Sequence, residues 1–260
     1  MGYLVVGHGT REIAGQLQLL DLAEKLASLL APAPVQPAFL ELASPSIHDG
    51  VKQLANLGVE QFVTIPVLLF TAGHALEDIP LAVNDAAQRN GITSIGQSAS
   101  LELHPAIVQL SAARFQESLG CFEPGHSNSL GLAMIGRGSG STSATQAMHK
   151  FTELRLQQIP VSYCLTGFFA VQKPTVPETL DQLERCGCDI LVVQPHLLFE
   201  GILMNQLREE VRQRQVNSPH RWVITRTLGG DSALALALAE VARQMDSGGR
   251  TGFSICNNYA

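Results

Sequence analysis

The chain has 260 residues, of which 45% are hydrophobic, 15% charged and 5% aromatic, and its formal net charge at pH 7 is −6. This apolar content excludes a disordered chain, and no apolar run approaches the roughly 20 residues that cross a membrane as a helix. A nucleic-acid-binding protein is disfavoured as well, because contact with phosphates requires a basic surface.

The cysteines argue against a secreted protein. There are five, an odd number, at irregular spacing, which does not fit a disulfide framework. Cys186 and Cys188 are separated by one residue, whereas zinc and redox motifs use two. The N-terminal residues also lack a basic segment followed by an apolar stretch of signal-peptide length. We therefore expect a cytoplasmic, reducing compartment.

In chain order, short apolar runs alternate with segments of helical periodicity. Residues 3–6 form a predicted strand, and residues 13–30 carry leucine and alanine at helical spacing. After a strand at 35–40, Ser44 is predicted to cap a helix that begins at Pro45 and ends at Gly58. The next predicted elements are a strand at 62–67, a helix at 75–89, a strand at 94–99 and a helix at 105–119.

The elements then recur, because the sequence repeats itself. Gly7 of G-H-G-T falls on Gly136 of G-R-G-S, an offset of 129 residues (136 − 7). The same offset carries Pro66 onto Pro195 and Phe70 onto Phe199 with no gap, which indicates two homologous halves. The strands of the second half are predicted at 132–135, 161–165, 190–193 and 222–225.

Strict alternation of strands and helices predicts parallel sheets covered by helices on both faces. We therefore expect an α/β fold of two flavodoxin-like halves, each a four-stranded parallel sheet flanked by helices, related by pseudo-twofold symmetry. The halves are predicted at 1–122 and 130–246, and a Gly-, Ser- and Pro-containing stretch at 120–131 joins them. Residues 247–260 are predicted to form a flexible tail.

Three ionisable residues of the first half follow predicted strands. His8 follows the first strand, Glu41 the second, and His74 lies just after the third. Ligands of open α/β sheets bind beyond the carboxyl ends of the strands, where these side chains can meet. Two imidazoles and a carboxylate suit a borderline divalent metal with open coordination positions.

A simpler interpretation is that His8, Glu41 and His74 are ordinary loop residues, and the repeat distinguishes it from a metal site. At the equivalent positions the second half has Arg137, Ala170 and Leu203, while the surrounding Gly, Pro and Phe residues remain. Joint loss is expected of one functional unit that is retained in only one half.

The motifs around these residues resemble those of a known family. G-H-G-T-R after the first strand, F-L-E-L-A-S-P-S at the second and P-V-L-L-F-T-A-G-H after the third resemble the sirohydrochlorin chelatases. These are the CbiX/SirB-type enzymes of the class II chelatase superfamily, and the resemblance covers both halves, as in the long two-domain members.

The resemblance implies ATP-independent insertion of Co²⁺ or Fe²⁺ into sirohydrochlorin, in cobalamin or sirohaem biosynthesis. It implies that His8 and His74 bind the metal and that Glu41 is their acidic partner. No permanently bound cofactor is implied, since the metal is a substrate, and His and Glu ligands do not choose among Co, Fe and Ni. An iron–sulfur cluster is not expected.

Sirohydrochlorin is rich in carboxylates, which arginine binds with a bidentate fork. Arg137, Arg11 and Lys173 are the candidate carboxylate ligands, and Thr10 and Ser139 are candidate hydrogen-bond donors. The resemblance implies sirohydrochlorin and a divalent metal as partners, and we expect no nucleic acid and no membrane. A monomer with pseudo-dimeric halves is expected, and a homodimer remains open.

Two other functions stay open at this point. A metal or tetrapyrrole carrier would keep the metal ligands without turnover, and G-R-G-S-G-S after the fifth strand could bind phosphate at a helix N-terminus. That loop lacks the lysine of a P-loop, so the second alternative is weak. His196 corresponds to Val67, which is not a metal position, and is interpreted as a packed or hydrogen-bonded loop histidine.

Overall fold

The computed structural model describes residues 1–70, 74–120, 129–216 and 218–246, with the side chains of 74–76 and 246 excepted. The strands are β1 Gly2–Gly7, β2 Val35–Phe39, β3 Gln61–Pro66, β4 Thr93–Gln97, β5 Leu130–Gly136, β6 Tyr163–Phe168, β7 Ile190–Pro195 and β8 Arg221–Ile224. The helices are α1 Ile13–Leu30, α2 Ile47–Asn56, α3 His74–Asn90, α4 Pro105–Leu119, α5 Thr142–Gln158, α6 Val176–Glu184, α7 Ile202–Gln215 and α8 Ser232–Asp246.

The strands form two four-stranded sheets with the orders β2-β1-β3-β4 and β6-β5-β7-β8, in which every pair is parallel. The predicted α/β fold with two equivalent sheets is confirmed. In each sheet the chain passes from the first strand (β1 or β5) to the neighbour on one side (β2 or β6) and then to the neighbour on the other side (β3 or β7). The strand order therefore reverses beside the first strand. The crevice at such a switch point is where ligands of open α/β sheets bind. None of the helices in the described ranges is long and apolar enough to cross a membrane.

Strand β1 is buried on both faces because its residues alternate between two cores. Tyr3 and Val5 belong to a large core that also contains residues of the second half, such as Leu132. Leu4 and Val6 point to the opposite face and pack in a separate core of the first half. This two-residue alternation, with apolar side chains on both faces, is the pattern of a parallel strand covered by helices on each side.

The last helix of each half crosses to the other half. Helix α4 packs on α5 and contacts β8, whereas α8 packs on α1 and contacts β3, and the two crossing helices touch each other. The exchange is reciprocal, as two homologous halves related by pseudo-twofold symmetry would produce. The shared core therefore depends on both halves. The predicted boundaries at 1–122 and 130–246 stay a prediction, and residues 121–128 and 247–260 lie outside the described residues.

A buried arginine fastens α4 to the second half. Only 3% of Arg114 is exposed, and its Nε donates to the carbonyl oxygen of Thr227 (3.0 Å). Its two terminal nitrogens bind the carboxylates of Glu117 (2.9 Å) and Asp231 (3.0 Å). Because guanidinium donors are expensive to bury without partners, this network fixes which sheet α4 covers.

The predicted cap of α2 is wrong by two residues. Ser46, not Ser44, caps the helix, and its hydroxyl accepts from the N–H of Asp49 while Asp49 accepts from the N–H of Ser46. Pro45 is held beside β2 instead, because its carbonyl oxygen accepts from the N–H of Phe39 (2.8 Å). Strand β6 also begins and ends later than predicted, since its pairing with β5 continues to Phe168.

Candidate functional site

The loops that follow β1 and β2 are tied together by their backbones. The N–H of Leu40 donates to the carbonyl oxygen of Gly7 (2.9 Å), and that of Glu41 donates to the carbonyl oxygen of His8 (3.0 Å). Gly9 makes the approach possible, since it has a φ of 105° and a Cβ there would lie 1.7 Å from the carbonyl oxygen of Glu41. The sequence thus brings His8 and Glu41 side by side at the carboxyl ends of β1 and β2, next to the switch point between β1 and β3.

The side chains of His8 and Glu41 are in contact, with Nε2 and Oε1 3.1 Å apart. The two side chains are 36% and 54% exposed, so both atoms can be reached from solvent. When Nε2 carries the imidazole proton, it donates to Glu41. When that proton lies elsewhere, the Nε2 lone pair and the carboxylate form two adjacent donor atoms for a cation.

His74 is the first residue of α3, the helix that follows β3. Its side chain lies outside the described residues, so its predicted meeting with His8 and Glu41 stays a prediction. Among the described residues, no group of three or more His, Cys, Asp and Glu side chains is placed to hold a metal ion. The described part of the predicted trio is the pair His8–Glu41.

The second half reproduces the same backbone without the predicted metal-binding side chains. The N–H of Ala170 donates to the carbonyl oxygen of Arg137 (3.1 Å), the counterpart of the bond between Glu41 and His8. Gly138 has a φ of 83°, and a Cβ there would lie 1.9 Å from the carbonyl oxygen of Ala170. The repeat that the sequence predicts is therefore present in the backbone of these loops, while their side chains differ.

The predicted carboxylate ligands lie in these loops but differ in availability. Arg137 and Arg11 are exposed, and neither guanidinium has an ion pair or hydrogen bond within the part of the chain that the structure describes. Lys173 is 80% exposed but pairs with Glu178, with Nζ and Oε1 3.5 Å apart. The two arginines are thus better placed than Lys173 to bind an anionic ligand.

The two predicted hydroxyl donors occupy equivalent positions. Oγ1 of Thr10 accepts from the N–H of Glu12 (3.1 Å), and Oγ of Ser139 accepts from the N–H of Ser141 (3.0 Å). Each hydroxyl oxygen is held as an acceptor at the start of a helix, which leaves its hydrogen free to donate outward. This arrangement suits a carboxylate ligand in both halves.

The second half contacts the first next to this site. The side-chain oxygen of Gln18 accepts from the N–H of Glu200 (2.7 Å), in the loop between β7 and α7. The loop can approach α1 this closely only because residue 15 is glycine, since a Cβ there would lie 2.6 Å from the carbonyl oxygen of Glu200. The start of α1 is therefore held between its own half and the other half.

Comparison with known proteins identifies the family. The CbiX family model matches residues 2–118 and again 131–245, which together cover most of the chain. The chain belongs to the CbiX family. The two matches also correspond to the two halves that the repeat predicts.

Relatives of this CbiX-family chain carry two activity names. It is 27% identical over 242 residues to a sirohydrochlorin ferrochelatase of Priestia megaterium, covering 93% of this chain and 89% of that protein. It is also 27% identical over 213 residues to a sirohydrochlorin cobaltochelatase of the same organism, covering 81% and 68% respectively. Among solved structures, SirB from Bacillus subtilis with Fe³⁺ is 25% identical with a TM-score of 0.82, covering 96% of this chain and 97% of that one.

His196, interpreted from the sequence as a packed or hydrogen-bonded loop histidine, is packed in this CbiX-family chain. It follows β7, is 3% exposed, and packs between the rings of Phe70 (5.2 Å between centroids) and Phe151 (4.0 Å). Neither ring nitrogen has a hydrogen-bond partner among the described residues, and burial lowers the pKa of the imidazole to about 3. The only sequence signal was its alignment with Val67, which indicates an interior position.

Proposed function

We propose that this chain is a sirohydrochlorin chelatase that inserts Co²⁺ or Fe²⁺ into sirohydrochlorin without ATP. One observation carries the proposal: Nε2 of His8 lies 3.1 Å from Oε1 of Glu41, at the carboxyl ends of β1 and β2 in the half that alone carries these residues. Membership of the CbiX family supports it, as do relatives named sirohydrochlorin ferrochelatase and cobaltochelatase. Equal identity to both relatives makes both metals substrates to test.

Metal insertion exchanges two pyrrolic protons for one divalent ion. In the proposed reaction, the imidazoles of His8 and His74 and the carboxylate of Glu41 bind the ion, and the ring nitrogens then replace them. For Nε2 of His8 to bind metal, its proton must move to Nδ1 or leave. Glu41 is close enough to take up that proton, and its exposure lets pyrrolic protons pass on to water.

Basic and hydroxyl side chains of both halves, in this proposal, bind the carboxylates of the tetrapyrrole. Arg137 occupies the position of His8 on an identical backbone frame and is exposed. Arg11, Thr10 and Ser139 are assigned to the same task, and Lys173 to a weaker contribution because it already pairs with Glu178. An acidic chain needs such local positive charge to hold a polyanionic ligand.

We further propose that the protein acts in the cytoplasm as a monomer with no permanently bound cofactor. The two halves share one core and exchange their last helices, so the fused chain already joins two homologous units.

The test is the anaerobic absorbance of sirohydrochlorin with Co²⁺ and, separately, Fe²⁺. Wild type should accelerate conversion to the metallated spectrum, and His8→Ala and His74→Ala should each lose about 100-fold of that rate, because each removes a proposed metal ligand and loss of even a ligand's hydrogen-bond partner costs about 10- to 100-fold. Arg137→Ala should instead raise KM for sirohydrochlorin and leave the affinity for Co²⁺ unchanged.

His220→Ala is the matched control, because His220 precedes β8 and lies at the amino edge of its sheet, away from the carboxyl ends of the strands. Its rate should equal that of wild type. If wild type binds pigment or metal and leaves the uncatalysed rate unchanged, the chain is a carrier and the enzymatic proposal is wrong.

A further inference from the structure

Two exposed apolar side chains lie at equivalent positions beside the site. Leu42 follows Glu41, and Val171 follows Ala170; they are 51% and 75% exposed. Both have left-handed backbones, with φ of 62° and 66°. This region is disfavoured for residues with a Cβ, and for a β-branched residue such as valine it is an outlier.

The loop explains the backbone conformation but not the choice of side chain. The N–H of Gln172 donates to the carbonyl oxygen of Ala170 (2.7 Å), which makes Val171 the centre of a tight three-residue turn with positive φ. Glycine or asparagine would adopt this conformation at lower cost. Within the described residues, neither Leu42 nor Val171 belongs to any of the apolar cores. Folding therefore gives no reason for an apolar side chain at either position.

The duplication shows what each half has kept. The carboxylate of Glu41 is absent from the second half, whereas the exposed apolar residue in a left-handed turn is present in both. A metal ion needs a single set of ligands. A tetrapyrrole, in contrast, has a broad apolar ring inside a rim of carboxylates, and contact from both halves would orient it over the metal-binding residues.

We propose that Leu42 and Val171 contact the apolar ring of the tetrapyrrole, one from each half of the chain, and so hold it beside His8 and Glu41. The inference rests on the proposed function. It assigns ring recognition to the two turns and carboxylate recognition to the arginines. Residues with strained backbones of this kind cluster at active sites and at turns that contact ligands.

The experiment titrates metal-free sirohydrochlorin into wild type, Leu42→Asn, Val171→Asn and the double variant, with fluorescence quenching as the readout. Asparagine tolerates the left-handed conformation, so the turns should survive and Tm should not fall. Each single variant should raise Kd about tenfold, the effect of losing the burial of one aliphatic side chain. The affinity for Co²⁺, measured separately, should stay unchanged.

Leu57→Asn is the matched control. Leu57 is 57% exposed, closely similar to Leu42, but it lies at the end of α2, which leads into the opposite edge of the sheet. Its Kd should equal that of wild type, as exposure alone has no effect on ring binding.

The outcomes separate this inference from the proposed function. If wild type binds and metallates sirohydrochlorin while both asparagine variants keep the wild-type Kd, the ring contact is wrong and the chelatase remains. A fall in Co²⁺ affinity in Leu42→Asn would also overturn the ring contact, since the residue would then act through Glu41. If wild type binds no sirohydrochlorin, the proposed function and the ring contact fail together.

Discussion

The two halves of this chain share a backbone and differ in the side chains at one edge of their sheets. Gly9 and Gly138 make the same close approach to the following loop, and the residues that cap α2 and α6 form the same reciprocal pair of hydrogen bonds. At the strand ends, however, the first half has His8 and Glu41 and the second has Arg137 and Ala170. The comparison teaches that one backbone frame can carry different side chains at this edge, the proposed metal ligands in the first half and the proposed anion-binding arginine in the second.

Transferring the residues of the second half into the first tests this comparison with the largest expected effect. The double variant His8→Arg, Glu41→Ala should lose chelatase activity about 100-fold or more, because it removes a metal ligand and a proton acceptor together. Its free energy of unfolding should change by less than about 1 kcal/mol, since the pair it removes is exposed and the second half carries the same residues on the same frame. The measurements are kcat/KM for Co²⁺ insertion and urea unfolding.

A double variant that unfolds readily would contradict the shared frame, because the frame would then depend on the metal-binding side chains. Retention of activity would contradict the metal-binding role. The single variant His8→Arg separates the two contributions, as it leaves Glu41 in place.

The glycines test the frame itself, with a smaller effect expected in both halves. Gly9→Ala and Gly138→Ala should each cost about 2 kcal/mol or more, because the new Cβ would overlap a carbonyl oxygen and the backbone φ is positive. Gly140→Ala is the control in the same loop, since a Cβ at Gly140 meets no atom within 4 Å, and it should change stability by less than about 0.5 kcal/mol. Chemical denaturation measures all three.

Activity distinguishes the two halves in the same set of variants. Gly9→Ala should reduce insertion because it separates His8 from Glu41, whereas Gly138→Ala should act on the KM for sirohydrochlorin through Arg137. Equal effects on metal affinity in both variants would contradict the division of tasks between the halves.

The sequence predicts the repeated pattern well, because buried parallel strands and their Gly-containing turns leave local signals. The offset that joins Gly7 to Gly136 locates both loops, and the contact of His8 with Glu41 follows from the convergence of strand ends. The exchange of α4 and α8 has no such signal, since an amphipathic helix does not indicate which of two similar sheets it covers. The network of Arg114 that decides it joins residues more than 100 positions apart, such as Asp231.

The cap of α2 illustrates a second limit. Ser44 and Ser46 are both good caps in isolation, and Pro45 favours the first helical position. The choice depends on Asp49, which completes the pair of hydrogen bonds with Ser46, and on the bond from Phe39 that holds Pro45 beside the strand. Capping preferences consider only residues close in sequence, so they do not include a hydrogen bond to a neighbouring strand.

His196 lies at a position where the halves differ in the interior. Among these predictions, its substitution has the smallest expected effect, a change in the free energy of unfolding at pH 7.5. Its counterpart Val67 has the same backbone bond, from its N–H to the strand carbonyl at 2.8 Å, and is equally buried. Because both nitrogens of His196 lack partners among the described residues, His196→Val should raise the free energy of unfolding by about 1 kcal/mol at pH 7.5. The fold accepts valine at this position in the first half, so no rearrangement is expected.

The advantage of valine at position 196 should grow as the pH falls. Burial lowers the pKa of His196 to about 3 from the ordinary 6.5. Between these two values the imidazole is protonated in the unfolded chain and neutral in the folded chain. Wild type should therefore lose up to about 1.4 kcal/mol per pH unit between pH 6 and pH 4 relative to His196→Val. Urea unfolding at pH 7.5 and pH 5 measures the difference, with His149→Gln as the control for an exposed histidine. If the difference in the free energy of unfolding between wild type and His196→Val does not change with pH, the ring of His196 titrates normally. The description of a buried imidazole without partners would then be wrong.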